Sequence, residues 1–195
     1  MGNARALAGA LCWLAAVAAM PARADVLIPK EVQYAPEVQD DAGASGCHIV
    51  LILVNDQESI DFHYFITRPK QGGQLGVPTV FGFSIDAGQV SYANGAPTGV
   101  NRIAVELPTV RSADFDSYGR FVTHAYEGGV AATTTDRAAA NAFLKMFIKG
   151  KFDIGYSHKR AIGAQTVVER TFRVSTSPPP IVIEKFQSCL EDLLK

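Results

Sequence analysis

The run Cys47-His-Ile-Val-Leu-Ile-Leu-Val54 and the alternating stretch Ser59-Ile-Asp-Phe-His-Tyr-Phe-Ile-Thr-Arg68 decide the fold. From His48 to Val54 the first is a compact β-branched and leucine-rich run, which predicts a strand buried on both faces. In the second, Ile60, Phe62, Tyr64 and Ile66 point one way and Asp61, His63 and Thr67 the other, which predicts a half-buried strand. Asn55-Asp56-Gln57 between them reads as a turn, so the two predict an antiparallel hairpin.

On the C-terminal side, Pro69 to Pro78 carries Gly72-Gly73 and Gly76 and reads as a loop. Further strands are predicted over Val80 to Ile85 and Gln89 to Ala93, before an Asn94-Gly95 turn. Two more follow, over Asn101 to Leu107 and over Gly119 to Tyr126, with a Gly128-Gly129 break after the second. Helical spacing then appears at Ala139, Ala142, Phe143, Met146 and Phe147, with Thr134 or Thr135 as the cap and Gly150 as the stop. Strands over Phe152 to His158 and Thr166 to Val174 lead to Pro178-Pro179-Pro180, a stiff connector into a final helix, Ile181 to Leu194. About eight strands and two late amphipathic helices predict an α+β class, mostly antiparallel and sandwich-like. Few strand pairs are separated by a helix, which argues against a doubly wound parallel sheet. Residues 47–195 read as a single β-rich domain. Residues 25–46, with Pro29, Pro36 and no sustained periodicity, read as an extended arm with a short strand around Val26 to Ile28.

The first 24 residues differ from the rest. A lone Arg5 precedes the uncharged run Ala6 to Met20, then Pro21 and Ala22-Arg23-Ala24. This is the layout of a secretory signal with cleavage between Ala24 and Asp25. The run is short of the roughly 20 residues that cross a bilayer, and Cys12 lacks the small preceding residue of a lipoprotein signal. No later stretch has the length of a membrane span, so the mature chain is expected to have no transmembrane segment and to be periplasmic or secreted.

The 195 residues are 48% hydrophobic and 19% charged, too apolar for a disordered chain. Cleavage would remove two of the 18 basic residues and none of the 19 acidic ones, leaving a formal charge of −3. That balance argues against nucleic acid as a partner. Cleavage would also leave two cysteines, Cys47 and Cys189. In an oxidising compartment such a pair is expected to form an intramolecular disulfide. Cys189 falls in register with Val182, Phe186, Leu190 and Leu193 on the apolar face of the last helix, and Cys47 opens the first core strand.

No stretch carries a recognisable catalytic, cofactor or metal motif. His48, His63, His124 and His158 share no helical i, i+4 face. His63 lies beside Asp61 at same-face spacing, as a base and its orienter would, or as an ordinary polar strand face. Ser84 in Gly82-Phe-Ser-Ile-Asp86 lacks the second glycine of a nucleophile elbow. Asp114-Phe-Asp-Ser-Tyr-Gly119 begins like a calcium loop, but Tyr118 and Ala125 stand where oxygen ligands are needed, so an Asp/Ser turn is the better reading. The Gly72-Gly73-Gln-Leu-Gly76 loop lacks the lysine of a phosphate cradle, and Lys159-Arg160 reads as a solvated turn. Arg111, Phe115, Tyr118 and Arg120 mix aromatics with arginine as binding surfaces do.

The stretch Ala142-Phe-Leu-Lys-Met-Phe-Ile-Lys-Gly-Lys-Phe-Asp-Ile-Gly-Tyr156 is a helix ending in Gly-Lys and running directly into an alternating strand. With the strand to Val174 and a closing helix bearing Phe186 and Cys189, the order resembles the invasion-associated locus B family of exported bacterial proteins. The resemblance covers about 55 residues of the C-terminal third. It implies an envelope location and a β-rich fold with late helices, and carries over no catalytic residue. The first half departs from that family, having no tryptophan-bearing opening strand with a nearby cysteine pair.

Two functions follow as expectations. One is an exported, non-enzymatic domain that binds a protein or a cell-envelope component. The other is a hydrolase whose site assembles in space from His63 or His124 with Asp61, Asp114 or Asp116.

Overall fold

The structure is a computed structural model and describes residues 25–40, 44–69, 79–127, 129–159 and 167–193. The N-terminal segment, expected as an extended arm with a short strand around Val26 to Ile28, has that strand and a second, longer one. It forms β1 (Asp25–Leu27) and the ten-residue β2 (Glu31–Asp40). The decisive hairpin is present as β3 (Ala44–Val54) and β4 (Glu58–Pro69), in antiparallel register with Leu51 opposite Phe62.

Next in the described residues come β5 (Val80–Ala93), β6 (Ala96–Ile103), β7 (Val105–Arg111), β8 (Val122–Tyr126) and β9 (Gly129–Thr134). The segments expected as two strands, Val80 to Ile85 and Gln89 to Ala93, are one continuous β5. Its first half pairs with β4 and β9 and its second with β6. Gly88, between the two segments, sits where Val100 of β6 approaches so closely that a Cβ would lie 2.2 Å from it. The expected strand Asn101 to Leu107 divides at Ala104 between β6 and β7. β8 ends at Tyr126, ahead of the expected glycine break, and an unexpected strand, β9, begins at Gly129 and pairs back along it.

The C-terminal third is α1 (Arg137–Lys149), β10 (Phe152–Lys159), β11 (Val167–Val174) and α2 (Pro180–Leu193). The cap of α1 is Asp136, whose carboxylate accepts from the Ala138 amide at 2.8 Å; Thr134 instead accepts from the Asp136 amide. The helix stops at Gly150 in the left-handed region, as the sequence predicts.

The described residues hold eleven strands rather than about eight, in two sheets. The larger has the order β2-β3-β4-β5-β9-β8, with β6 beside β5; the smaller has β1-β11-β10-β7. Pairing is antiparallel except for β1 along β11. The class is therefore α+β and mostly antiparallel, as expected.

One face of the large sheet packs against both helices and the inner face of the small sheet. Cys47, Leu51, Phe62, Tyr64, Phe83 and Ile85 supply it, and Phe143, Phe147, Phe172 and Phe186 come down on them. Phe143 stacks on Tyr64 at 5.1 Å and on Phe83 at 5.3 Å between ring centres. Cys47 and Cys189 are joined, with Cα atoms 5.8 Å apart, clamping α2 to β3. Arg68 donates to the Leu193 carbonyl at 2.7 Å and Tyr34 to the Thr176 carbonyl at 2.6 Å, which fixes α2 and the proline connector before it. No described helix is long and apolar enough to cross a membrane.

The expectation that β3 is buried on both faces fails on one side. Cys47, Ile49, Leu51 and Leu53 are fully buried, but His48, Val50 and Ile52 are only half-buried. Their shelter comes from neighbouring strands, and no described element is stacked on that face.

Candidate functional site

The uncovered face of the large sheet carries the chemistry. Strand alternation and register put three rows of side chains across it. One row runs Glu37, His48, Phe65; the next Val50, His63, Ser84, Ala131, His124; the third Ile52, Asp61, Asp86, Gly129, Tyr126. The first row crosses three consecutive strands, whereas the second and third continue from β5 to β9 and β8, strands remote in sequence that no spacing rule along the chain brings together.

Two polar clusters result. At the β2–β4 end, Glu37 is directly opposite His48, and His63 Nδ1 stands 4.0 Å from the Glu37 carboxylate. One ligand atom from each of Glu37, His48 and His63 lies within 4.8 Å of the others, so these are the described residues able to hold a metal ion. His48 packs its ring against Phe65 at 5.7 Å, and its Nε2 is 3.1 Å from Gln39 Oε1. Burial holds the His48 imidazole below its ordinary pKa, opposed by the Glu37 charge and aided by His63.

At the other end, Tyr126 donates to Asp86 at 2.8 Å. Burial pushes its phenol up to about 12; a hydrogen bond from Ser84 opposes this, the Asp86 hydrogen bond and charge reinforce it, and Arg102 works against it. The reach from β8 to β5 passes over Gly129, where a Cβ would lie 2.7 Å from the Tyr126 oxygen and 2.5 Å from the Asp86 carboxylate. Asp61 faces Asp86 across the β4–β5 pair. Although Asp61 is exposed overall, the strands around it displace enough water to raise its carboxyl above the usual range; His63 and Arg102 oppose the rise and Asp86 adds to it.

The sequence candidates are distributed as follows. His63 and Asp61 do share this face, and Ser84 lies opposite His63. Ser84 acts on the Tyr126 phenol only by lowering its pKa against the effect of burial. His124 is on the same face, 3.2 Å from the Thr133 hydroxyl. Asp114 and Asp116 are elsewhere and belong to no histidine: Asp116 pairs with Arg111 at 3.1 Å and Asp114 with Lys149 at 3.4 Å. Asp116 also accepts from the Tyr118 amide at 2.9 Å, so the calcium-like stretch is a self-bonded turn.

In the aromatic–arginine loop, Phe115 is a core residue and Arg120 lies over its ring at 5.7 Å. That leaves Tyr118, 80% exposed, near Leu107, 73% exposed and held at φ 50, on the rim of a cleft of about 390 Å³. The Gly72–Gly76 loop, the Lys159-Arg160 turn side chains and the leader with its cleavage point lie outside the described residues.

Sequence reading passed over Glu37, which lay in the supposed arm, and Asp86 and Tyr126, which only the register brings together. It also passed over Glu58. This buried carboxylate accepts from Tyr156 at 2.6 Å and from Arg170 at 2.8 Å, with His158 Nε2 at 3.9 Å, where β4 meets the small sheet.

Compared with known proteins, the chain matches no family model, no curated protein and no solved structure.

Proposed function

We propose that the protein is exported to the periplasm or beyond, trimmed between Ala24 and Asp25, and acts without catalysis by binding an envelope or extracellular protein through the open face of its large sheet. The observation that carries this reading is the one-sided burial of that sheet. Both helices and the small sheet pack on the opposite face. The open face offers half-buried Val50, Ile52 and Phe65 amid histidines, carboxylates and Tyr126. Apolar area ringed by hydrogen-bonding groups is the composition of protein-binding surfaces.

The Cys47–Cys189 link supports the compartment, because such a bond persists where thiols are oxidised. The order of α1, β10, β11 and α2 keeps the resemblance to the exported invasion-associated locus B proteins as a second support. For the hydrolase reading, His63, Asp61 and Ser84 do share a face, but the carboxylate that His63 Nδ1 meets, at 4.0 Å, is that of Glu37.

A photocrosslinking amino acid placed at Ala131 or Thr133 on the open face, and at Arg173 on the small sheet as control, tests this in intact cells. A discrete crosslinked protein from the first two positions and none from the third is expected. Equal products from all three, or none, would overturn the reading. N-terminal sequencing of the same envelope material is expected to begin at Asp25.

A further inference from the structure

We propose that Glu37, His48 and His63 form a binding site for a borderline divalent transition-metal ion of the zinc(II) class. Nothing in the partner-binding reading requires it. The donors are of the right type: imidazole nitrogen and carboxylate oxygen are the zinc set when thiolates are absent, and three protein ligands with an open fourth position make an exchangeable site.

The geometry is near that of a loaded site. In tetrahedral zinc centres with bonds of about 2.0–2.2 Å, neighbouring donors stand about 3.3 Å apart. Here the three donors are within 4.8 Å of one another, and His63 Nδ1 is 4.0 Å from Glu37 Oε2. The remaining closure falls to Glu37, whose side chain is on an edge strand and 58% exposed, and so is free to swing in. The two histidines sit on adjacent central strands, which hold their separation rigid.

His48 also has the outer support that metal-ligating histidines have. With Nε2–H donated to Gln39 Oε1, the Nδ1 lone pair is left for the metal, and Phe65 limits the ring's rotation. Two neutral imidazoles and one carboxylate leave the bound dication with a net positive charge, open to water or to a donor from a partner.

Calorimetric titration of the untagged, oxidised protein with zinc, together with nitrogen NMR of the histidine rings, tests the site. One equivalent is expected to bind, moving the His48 and His63 ring nitrogens together while His124 and His158 stay. His63→Ala is expected to weaken binding by about a hundredfold or more, and Gln39→Ala by about tenfold, the scale of second-shell losses. His124→Ala is expected to have no effect. Unchanged melting of each metal-free variant separates ligand loss from misfolding. No saturable binding at millimolar zinc, saturation without movement of His48 and His63, or full affinity in His63→Ala would each overturn the proposal. Crosslinking at Ala131 is independent of all these outcomes.

Discussion

Gly150 ends α1 at φ 63, and a Cβ there would lie 2.2 Å from the Thr176 carbonyl oxygen, which belongs to backbone. Two costs therefore combine in Gly150→Ala: about 1–2 kcal/mol for a left-handed alanine, and overpacking of about 1–3 kcal/mol. Gly95, at φ 78, has nothing within 4 Å of its missing Cβ and carries only the first cost. Urea denaturation is expected to rank Gly150→Ala below Gly95→Ala; equal midpoints would mean the connector simply moves aside. Tyr126 gives a second test at this scale. Its pKa is about 12 in the fold against the ordinary 10.0. A proton held more tightly in the folded state stabilises fully below pH 10, and that contribution is lost as the pH rises through 12. The phenolate absorbance difference between wild type and Tyr126→Phe is expected to centre near 12, and Gly129→Ala, which blocks the bond to Asp86, is expected to shift it. A difference curve centred at 10 would mean that in solution Tyr126 is neither sheltered from water nor bonded to Asp86.

The elements differ in how far the chain announces them. β3 and β4 are legible because a period of two repeats through large apolar residues, and α1 because Phe143, Met146 and Phe147 fall at helical spacing before Gly150. β2 also alternates, with Val32, Tyr34, Pro36 and Val38 on one side, but Pro36 and the surrounding acids mask it. The proline is tolerated because β2 is the edge of its sheet, where a missing N–H breaks no central ladder. β9 is masked by composition, since Ala131-Ala132 before a helix reads as helix former. Of the candidate site, His63 and Asp61 were legible as a pair, neighbours on one strand, and His48, Ser84 and His124 only as single residues. Glu37 joins them through a hairpin whose first strand is masked, and Asp86 and Tyr126 through register, which a single sequence does not specify for strands as far apart as β5 and β8. Glu58 follows the same logic inside the core, where a strand-opening acid becomes the partner of a cation more than a hundred residues on. Removing it leaves Arg170 largely buried and without this carboxylate, a change that costs about 3–5 kcal/mol in buried pairs. Glu58→Ala is expected to lose toward the lower end of that range in urea unfolding, since the Arg170 side chain keeps 18% exposure. Glu58→Gln, still able to accept from Tyr156, is expected to lose less. A loss of well under about 1 kcal/mol in Glu58→Ala would show that water replaces the carboxylate at no great cost.

Across the whole molecule, contacts join the two ends of the described residues. β1 runs along β11, Tyr34 of β2 holds the connector after β11, and Cys47 and Cys189 join residues 142 apart. A cross-link closing a loop of that length removes about 4–5 kcal/mol of chain entropy from the unfolded state by the loop-closure estimate. The other attachments of α2 are Val182 and Phe186 in the core, Leu190 and Leu193 at its edge, and the Arg68 bond to its last turn. These hold one side of a helix that packs mainly on β2 and β3, whereas the central strands of the large sheet are hydrogen-bonded on both edges. Reduction is thus expected to act unequally. The stability of Cys47→Ala/Cys189→Ala should fall by about 2–5 kcal/mol, the usual range for a native link. Amide exchange of α2 should accelerate towards that of a locally opening element while β3, β4 and β5 keep most of their protection. If α2 and β4 lose protection by the same factor, opening is global and the link acts on the unfolded chain alone. If neither changes and the urea midpoint holds, the bond contributes nothing measurable, and the case for an oxidising compartment loses its structural support.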